Sequence, residues 1–122
     1  MPTALVVDDN RQNADGLVQI IEMLGVKAEV AYGARTALQM ILKRTPDVIF
    51  LDINMPGFNG FEVLAYFRRL PQYKDIPVII VTSDDQPETA KKAKDTGVLA
   101  LIVKPTSVDE IEHALRIAGL LQ

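Results

Sequence analysis

The sequence predicts an α/β fold, a three-layer sandwich in which a five-stranded parallel sheet lies between two layers of helices. Two observations carry this prediction. Short apolar runs of strand length recur along the chain, and segments with helical periodicity separate them. Alternation at this spacing indicates parallel strands joined by right-handed helical crossovers. The 122 residues have the length of one domain, and we expect residues 1–122 to form it.

Five segments are candidate strands, and four of them are almost entirely apolar. Their aliphatic and β-branched side chains favour strands that are buried on both faces of the sheet. The weaker candidate, residues 26–30, alternates apolar and charged residues, which is typical of an edge strand with one solvent-exposed face. The four apolar candidates are residues 5–7, 48–51, 78–81 and 99–103.

Five segments show helical periodicity, with apolar residues recurring at i, i+3, i+4 and i+7 in the clearest of them. The fourth segment, called the thin helix below, has the weakest periodicity, because Ala90 and Ala93 are its only apolar pair. Before the last one, Ser107 and Glu110 have the spacing of a capping box. The predicted helices lie at residues 14–24, 34–42, 60–70, 88–96 and 108–118, the last beginning after its N-cap Ser107.

Composition and charge narrow the classes of function. The formal net charge of −3 argues against binding to nucleic acid or to anionic membranes. The sequence contains no cysteine, which excludes disulfides, thiol catalysis and zinc–thiolate sites. The N-terminal segment lacks the features of a signal peptide, and no segment approaches the ~20 apolar residues of a membrane span. We therefore expect a cytoplasmic protein.

Polar side chains stand at the carboxyl ends of four predicted strands. Asp8 and Asp9 follow the first strand, and Asp52 follows the third. Thr82 follows the fourth strand, and Lys104 follows the fifth. Because parallel strands end at one edge of the sheet, where open α/β folds bind ligands, we expect these side chains to converge.

This set of residues suits phosphoryl chemistry. Three neighbouring carboxylates repel one another, and a hard divalent cation such as Mg²⁺ offsets that repulsion by binding their oxygens. An Asp carboxylate such as Asp52 can act as a nucleophile and become an aspartyl phosphate. Mg²⁺, Lys104 and the Thr82 hydroxyl would then stabilise the phosphoryl oxygens.

Four short motifs, each weak alone and highly specific together, resemble the receiver domain of two-component response regulators, in particular a single receiver of the chemotaxis-regulator type. The resemblance covers the chain from Leu5 to the last helix. It implies a flavodoxin-like sandwich with strand order 2-1-3-4-5 and a cis peptide bond before Pro105. The motifs are Asp8-Asp9, Asp52, Thr82-Ser83 and Lys104-Pro105.

The resemblance implies a phosphoacceptor and a magnesium site. Asp52 would take a phosphoryl group from the phosphohistidine of a sensor kinase. The side chains of Asp9 and Asp52 and the backbone carbonyl of Asn54 would bind Mg²⁺. Asp8 would contribute through a metal-bound water.

The resemblance also implies a switch. Lys104 would pair with the acceptor and then with the phosphoryl group, and Thr82 would swing its hydroxyl toward a phosphoryl oxygen. Asn54 and Asp84 would influence dephosphorylation. The family usually has an aromatic residue where this chain has Leu101, so we expect the signal to travel through the loop after Thr82 and the thin helix that follows.

The implied partners are a sensor histidine kinase or phosphotransfer protein as donor, and a downstream target on the face formed by residues 99–121. A homodimer through this face is an alternative. We expect no nucleic-acid or membrane partner for this domain. We also expect no enzymatic activity beyond its own phosphorylation and dephosphorylation.

Other functions stay open at this point. Because the chain ends at Gln122, directly after the last predicted helix, we expect either a stand-alone receiver or the receiver part of a longer regulator. A magnesium-dependent aspartyl-phosphate hydrolase is the alternative from another class. Such enzymes typically carry Asp-x-Asp at the first strand, whereas the candidate nucleophile here follows the third strand and Asn54 lies two residues beyond it. A receiver-like interaction domain that is never phosphorylated is disfavoured by the complete set of polar residues.

Overall fold

The computed structural model describes residues 2–122, apart from the side chain of Phe58, and its five main strands form one parallel sheet. The order across the sheet is β2-β1-β3-β4-β5, which confirms the order 2-1-3-4-5. β1 and β3 are therefore neighbours, with Val7 paired to Leu51 at their carboxyl ends. The strands are β1 (Thr3–Val7), β2 (Lys27–Ala31), β3 (Val48–Leu51), β4 (Val78–Thr82) and β5 (Ala100–Val103).

Helices cover both faces of this sheet, which confirms the three-layer sandwich. On one face α1 and α5 pack into a large apolar cluster with β1 and β3. On the other face α2 and α3 form a second cluster, and α4 contributes to a much smaller third one. The helices are α1 (Arg11–Met23), α2 (Ala34–Lys43), α3 (Gly60–Arg68), α4 (Pro87–Asp95) and α5 (Val108–Ile117).

Burial follows the apolar pattern of the sequence in four of the five strands. The exception is the apolar strand β5, which lies at the other edge of the sheet and buries only Ile102. Every residue of β1, β3 and β4 is buried, as expected for near-continuous apolar strands in a parallel sheet. β2 lies at the edge and alternates between exposed and half-buried residues until its last position. This confirms the predicted edge strand.

Two helix starts show how local polar groups set the boundaries. At α5 the Ser107 hydroxyl accepts from the N–H of Glu110, and the Glu110 carboxylate accepts from the N–H of Ser107, so the predicted capping box is present. Helix α1 begins at Arg11, earlier than the periodicity predicted. The Asn10 side chain caps this helix by accepting from the N–H of Asn13.

The chain after β3 makes a short antiparallel hairpin, Asn54–Met55 with Phe58–Asn59, where the sequence predicted only a turn. Gly57 has φ +67°, a left-handed conformation that favours glycine. Gly60 then starts α3 so close to Ile53 that an added Cβ would lie 2.8 Å from the Ile53 Cα. The glycines thus let α3 close against the segment that leaves β3.

No helix among residues 2–122 has the length and apolar character needed to cross a membrane.

Candidate functional site

The carboxylates of Asp8, Asp9 and Asp52 converge at the carboxyl edge of the sheet. One oxygen from each lies within 4.8 Å of the others. Asp8 and Asp52 are only 5% and 8% exposed, whereas Asp9 is exposed to solvent. The structure therefore brings together three acidic residues that the sequence placed at two different strand ends.

The backbone explains why these carboxylates meet. The N–H of Asp52 donates to the carbonyl of Val7 at 2.9 Å, which extends the pairing of β1 and β3 by one residue. Each buried carboxylate then accepts from the N–H two residues on. Asn10 donates to Asp8 at 2.9 Å, and Asn54 donates to Asp52 at 3.0 Å. These turns hold both side chains over the sheet edge.

Lys104 bridges the two buried carboxylates. Its Nζ lies 2.8 Å from Oδ2 of Asp8 and 3.2 Å from Oδ2 of Asp52. The backbone N–H of Lys104 donates to the carbonyl of Thr82 at 2.7 Å, and the Lys104–Pro105 peptide bond is cis, as the resemblance implied. The Lys104 ammonium group therefore forms salt bridges with two buried carboxylates.

Opposing influences act on the pKa values of Asp52 and Lys104. Burial raises the pKa of Asp52, and the charge of Asp8 raises it further, while the N–H of Asn54 and the Lys104 ammonium act in the opposite direction. Burial alone would lower the pKa of Lys104, but its hydrogen bond to Asp8 and the charges of both carboxylates outweigh burial, so this pKa is raised. Three carboxylates converge around this one ammonium group, and such an excess of acidic groups suits a bound cation.

Thr82 lies at the other side of the site and is completely buried. Its hydroxyl oxygen accepts from the Nδ2 of Asn54 at 3.3 Å and from the backbone N–H of Asp84 at 3.2 Å. Leu101 on β5, at the switch position where the family usually has an aromatic residue, is half-buried and packs against the small cluster that contains Ile80. Thr82 and Leu101 therefore lie on the same side of the molecule as α4.

The structure adds contacts that the sequence analysis did not predict. Asp84 accepts from the Thr89 hydroxyl at 2.7 Å and from the N–H of Gln86 at 2.9 Å, which connects the loop after β4 to α4. The Asn54 side chain reaches Thr82, although the resemblance implied a role only for its backbone carbonyl and for dephosphorylation. An Asp two residues before the N-cap of a helix that starts with Pro87 is a turn pattern that could have indicated the first of these contacts.

The chain matches a family model over most of its length. The response regulator receiver domain family matches residues 4–116. Response regulator MprA of Mycolicibacterium vanbaalenii is 30% identical over 112 residues, which cover 92% of this chain and 48% of MprA. Sporulation initiation phosphotransferase F of Bacillus subtilis is 30% identical over 92% of this chain and 89% of its own length. The chain thus spans about half the length of MprA.

Solved structures agree with this relationship. The chemotaxis protein CheY4 of Vibrio cholerae is 31% identical, with a TM-score of 0.86 over 95% of this chain and 97% of that protein. The receiver domain of Francisella response regulator 1452 is 30% identical, with a TM-score of 0.86 over 98% of both chains. The chain therefore belongs to the response regulator receiver domain family, the phospho-receivers of two-component signal transduction.

Proposed function

We propose that Asp52 is the residue that accepts the phosphoryl group, from a phosphohistidine of a sensor kinase or phosphotransfer protein. The observation that carries this proposal is the buried Asp52 carboxylate, which shares the Lys104 ammonium with Asp8. In the transfer, the bond between phosphorus and the donor imidazole nitrogen breaks as a bond to an Asp52 oxygen forms. Lys104 is placed to stabilise the phosphoryl oxygens, and the Thr82 hydroxyl supplies a further donor.

We propose Mg²⁺ as the cofactor. Hard oxygen ligands suit this ion, and the three clustered carboxylates face a single ammonium group, so the donor set fits a divalent cation. Asp8, Asp9, Asp52 and the carbonyl of Asn54 would hold it. The bound ion would neutralise charge that develops on the transferring phosphoryl group.

The proposed activity is a switch that acts on the chain itself and turns over no separate substrate. As the resemblance implies, Asn54 and Asp84 would influence dephosphorylation of Asp52, and both contact Thr82 directly. Leu101 packs beneath α4 and replaces the aromatic residue that the family usually has. We therefore assign the readout to Thr82, its loop and α4.

We propose that the downstream target binds the face formed by residues 99–121. Four of the exposed large apolar side chains among the described residues lie there, which is the character of a partner surface. A homodimer is the competing use of this face, and sedimentation equilibrium with and without phosphorylation distinguishes the two. The four side chains are Leu99, Val103, Val108 and Ile117.

We propose that residues 1–122 form one cytoplasmic receiver domain, either alone or with an output domain beyond it. The match over residues 4–116 supports the single domain. Sporulation initiation phosphotransferase F, of which this chain covers 89%, supports the first arrangement, and MprA, of which it covers 48%, supports the second.

Replacing Asp52 by Asn tests the acceptor. The wild-type protein, incubated with Mg²⁺ and phosphoramidate, should gain the mass of one phosphoryl group, and Asp52→Asn should gain none because the amide is not nucleophilic. Asp109→Asn, the same change on an exposed residue of α5, is the matched control and should behave as wild type. Uptake by Asp52→Asn at the wild-type rate would contradict the assignment. Steady hydrolysis of a phosphomonoester by the wild-type protein would favour the hydrolase alternative instead.

Replacing Asp9 by Ala tests the magnesium site. The loss of one carboxylate ligand should weaken Mg²⁺ binding by roughly tenfold or more. Isothermal titration calorimetry is the suitable measurement, because the chain has no tryptophan to report binding by fluorescence. Asp109→Ala is the control, and a titration of Asp9→Ala that overlays the wild-type curve would remove Asp9 from the ligand set.

A further inference from the structure

A continuous series of hydrogen bonds joins the acceptor site to the first turn of α4. The Thr82 hydroxyl accepts from the backbone N–H of Asp84 at 3.2 Å. The carboxylate of the same Asp84 accepts from the N–H of Gln86 at 2.9 Å and from the hydroxyl of Thr89 at 2.7 Å. Asp84 therefore contacts the buried threonine through its backbone and the helix through its side chain.

At the Thr82 end of this series, the hydroxyl group can form a further hydrogen bond as a donor. A hydroxyl has one hydrogen to donate and two lone pairs to accept with, and Asn54 and Asp84 already occupy both acceptor positions. The hydroxyl hydrogen is thus available for a phosphoryl oxygen on Asp52. If the hydroxyl moved toward such an oxygen, its bond to the N–H of Asp84 would stretch or break.

The helix end of the series is weakly held by other means. Gln86 is the N-cap of α4 but its side chain makes no capping hydrogen bond, and Ala93 is the single buried residue of this helix. Asp84 instead ties this helix start to the loop, through the N–H of Gln86 and the hydroxyl of Thr89. Displacing Asp84 would release the first turn of α4.

We propose that Asp84 is a positioning residue that couples the Thr82 hydroxyl to the first turn of α4, with its backbone N–H on one side and its bonds to Gln86 and Thr89 on the other. This inference rests on the proposed phosphorylation of Asp52 for its biological use, but the coupling itself is a property of the unphosphorylated protein. Thr82 belongs to β4 and Thr89 to α4, and each forms a hydrogen bond with Asp84.

Two further features agree with this coupling. The hydrogen bond from Thr89, and to a smaller extent the one from the N–H of Gln86, lower the pKa of Asp84. The carboxylate therefore stays ionised and is a strong acceptor. A groove of about 430 Å³, lined by Asn54, Asp84 and Thr89 among others, separates α4 from the start of α3. The first turn of α4 therefore has room to shift.

A double-mutant cycle with Thr82→Val and Thr89→Val tests the coupling without phosphorylation. Both changes keep the side-chain shape and remove a hydroxyl at one end of the series. The readout is amide hydrogen exchange of the first turn of α4, followed by mass spectrometry of peptides that cover it. Each single variant should speed this exchange roughly fivefold, the usual size of a lost cap. The double variant should exchange no faster than the faster single one.

Thr89→Ser is the rescue variant, because it restores a hydroxyl donor to Asp84 and should return the exchange to the wild-type rate. Exchange rates that multiply in the double variant would overturn the proposal, since independent sites are additive in free energy. A Thr89→Ser protein that exchanges as fast as Thr89→Val would also overturn it, because the effect would then come from packing. Thermal unfolding of each variant verifies that the fold is retained.

A second arm connects the coupling to the proposed function. In the wild-type protein, phosphorylation with Mg²⁺ and phosphoramidate should change the exchange of the first turn of α4. In Thr89→Val the uptake of one phosphoryl group should persist, and the change in exchange should fall by at least about half, since the helix is already released. A full wild-type change in Thr89→Val would contradict the coupling. Absence of phosphoryl uptake in the wild-type protein would contradict the proposed function and leave the result of the cycle intact.

Discussion

Helices α1 and α4 both begin beside the acidic site, yet the molecule holds them in different ways. Helix α1 buries Ala14, Leu17 and Ile21 in the largest apolar cluster of the described chain. Helix α4 buries Ala93 alone, in a cluster whose other buried members are Ile53 and Ile80. Because the free energy of packing follows the apolar area removed from water, α1 belongs to the rigid body and α4 is the element that can shift.

The two helices also differ in the hydrogen bonds that hold their N-terminal ends. Helix α1 is capped by Asn10, a residue of its own start, through a local hydrogen bond to Asn13. Helix α4 receives its polar anchor from Asp84, whose backbone contacts Thr82 in the site. The comparison shows that one side of the site is firmly packed, whereas the other side, to which we assign the readout, is weakly packed.

The largest expected effect is on the α1 side. Ile21→Ala should destabilise the protein by about 2–5 kcal/mol, since Ile21 is fully buried and its loss leaves a cavity in the main core. Urea denaturation followed by circular dichroism measures this change. A loss below about 1 kcal/mol would show that α1 is not part of the rigid body.

A smaller effect is expected on the α4 side. Ala93→Gly should cost about 1–2 kcal/mol, from lower helix propensity and the loss of one buried methyl group. Amide exchange should accelerate most in α4 and least in β1 and β3. Equal acceleration in all three elements would mean that α4 opens only when the whole domain unfolds, and the contrast with α1 would then be wrong.

The smallest expected effect is the pH dependence of stability that the Asp52 carboxylate causes. Burial and the charge of Asp8 raise the pKa of Asp52 in the folded protein, so the native state binds its proton more tightly than the unfolded state does. Without metal, the wild-type protein should therefore lose stability relative to Asp52→Asn as the pH rises from about 4, the pKa of an unfolded Asp, through the raised pKa. Urea denaturation in EDTA at several pH values measures the difference. A gain of stability relative to Asp52→Asn over this range would contradict the raised pKa.

Local patterns predicted most of the secondary structure. Four apolar runs and one alternating segment located the five sheet strands, and Ser107 with Glu110 located the start of α5. The first turn of α1 was missed because it contacts solvent and shows no periodicity. The hairpin at Asn54–Met55 was missed because its two strands are only two residues long.

The strand-end pattern also indicated which residues form the site, since it depends on where apolar runs stop. Resemblance to a known family supplied the strand order and the proposed roles. The bond from Thr89 to Asp84 was not predicted, although the position of Asp84 two residues before the N-cap of α4 is a turn pattern that could have indicated it.

The amino-acid sequence by itself determined the α/β class, the strand and helix segments and the acidic, hydroxyl and lysine residues at the strand ends, because these follow from interactions between near neighbours in the chain. Only the tertiary structure decided that Lys104 is shared by Asp8 and Asp52, residues 96 and 52 positions away. It also decided that α4 is the weakly packed side, with its anchor passing through Asp84 to Thr82. Distances between side chains on different strands depend on sheet order and register, and these are set by the packing of the whole domain.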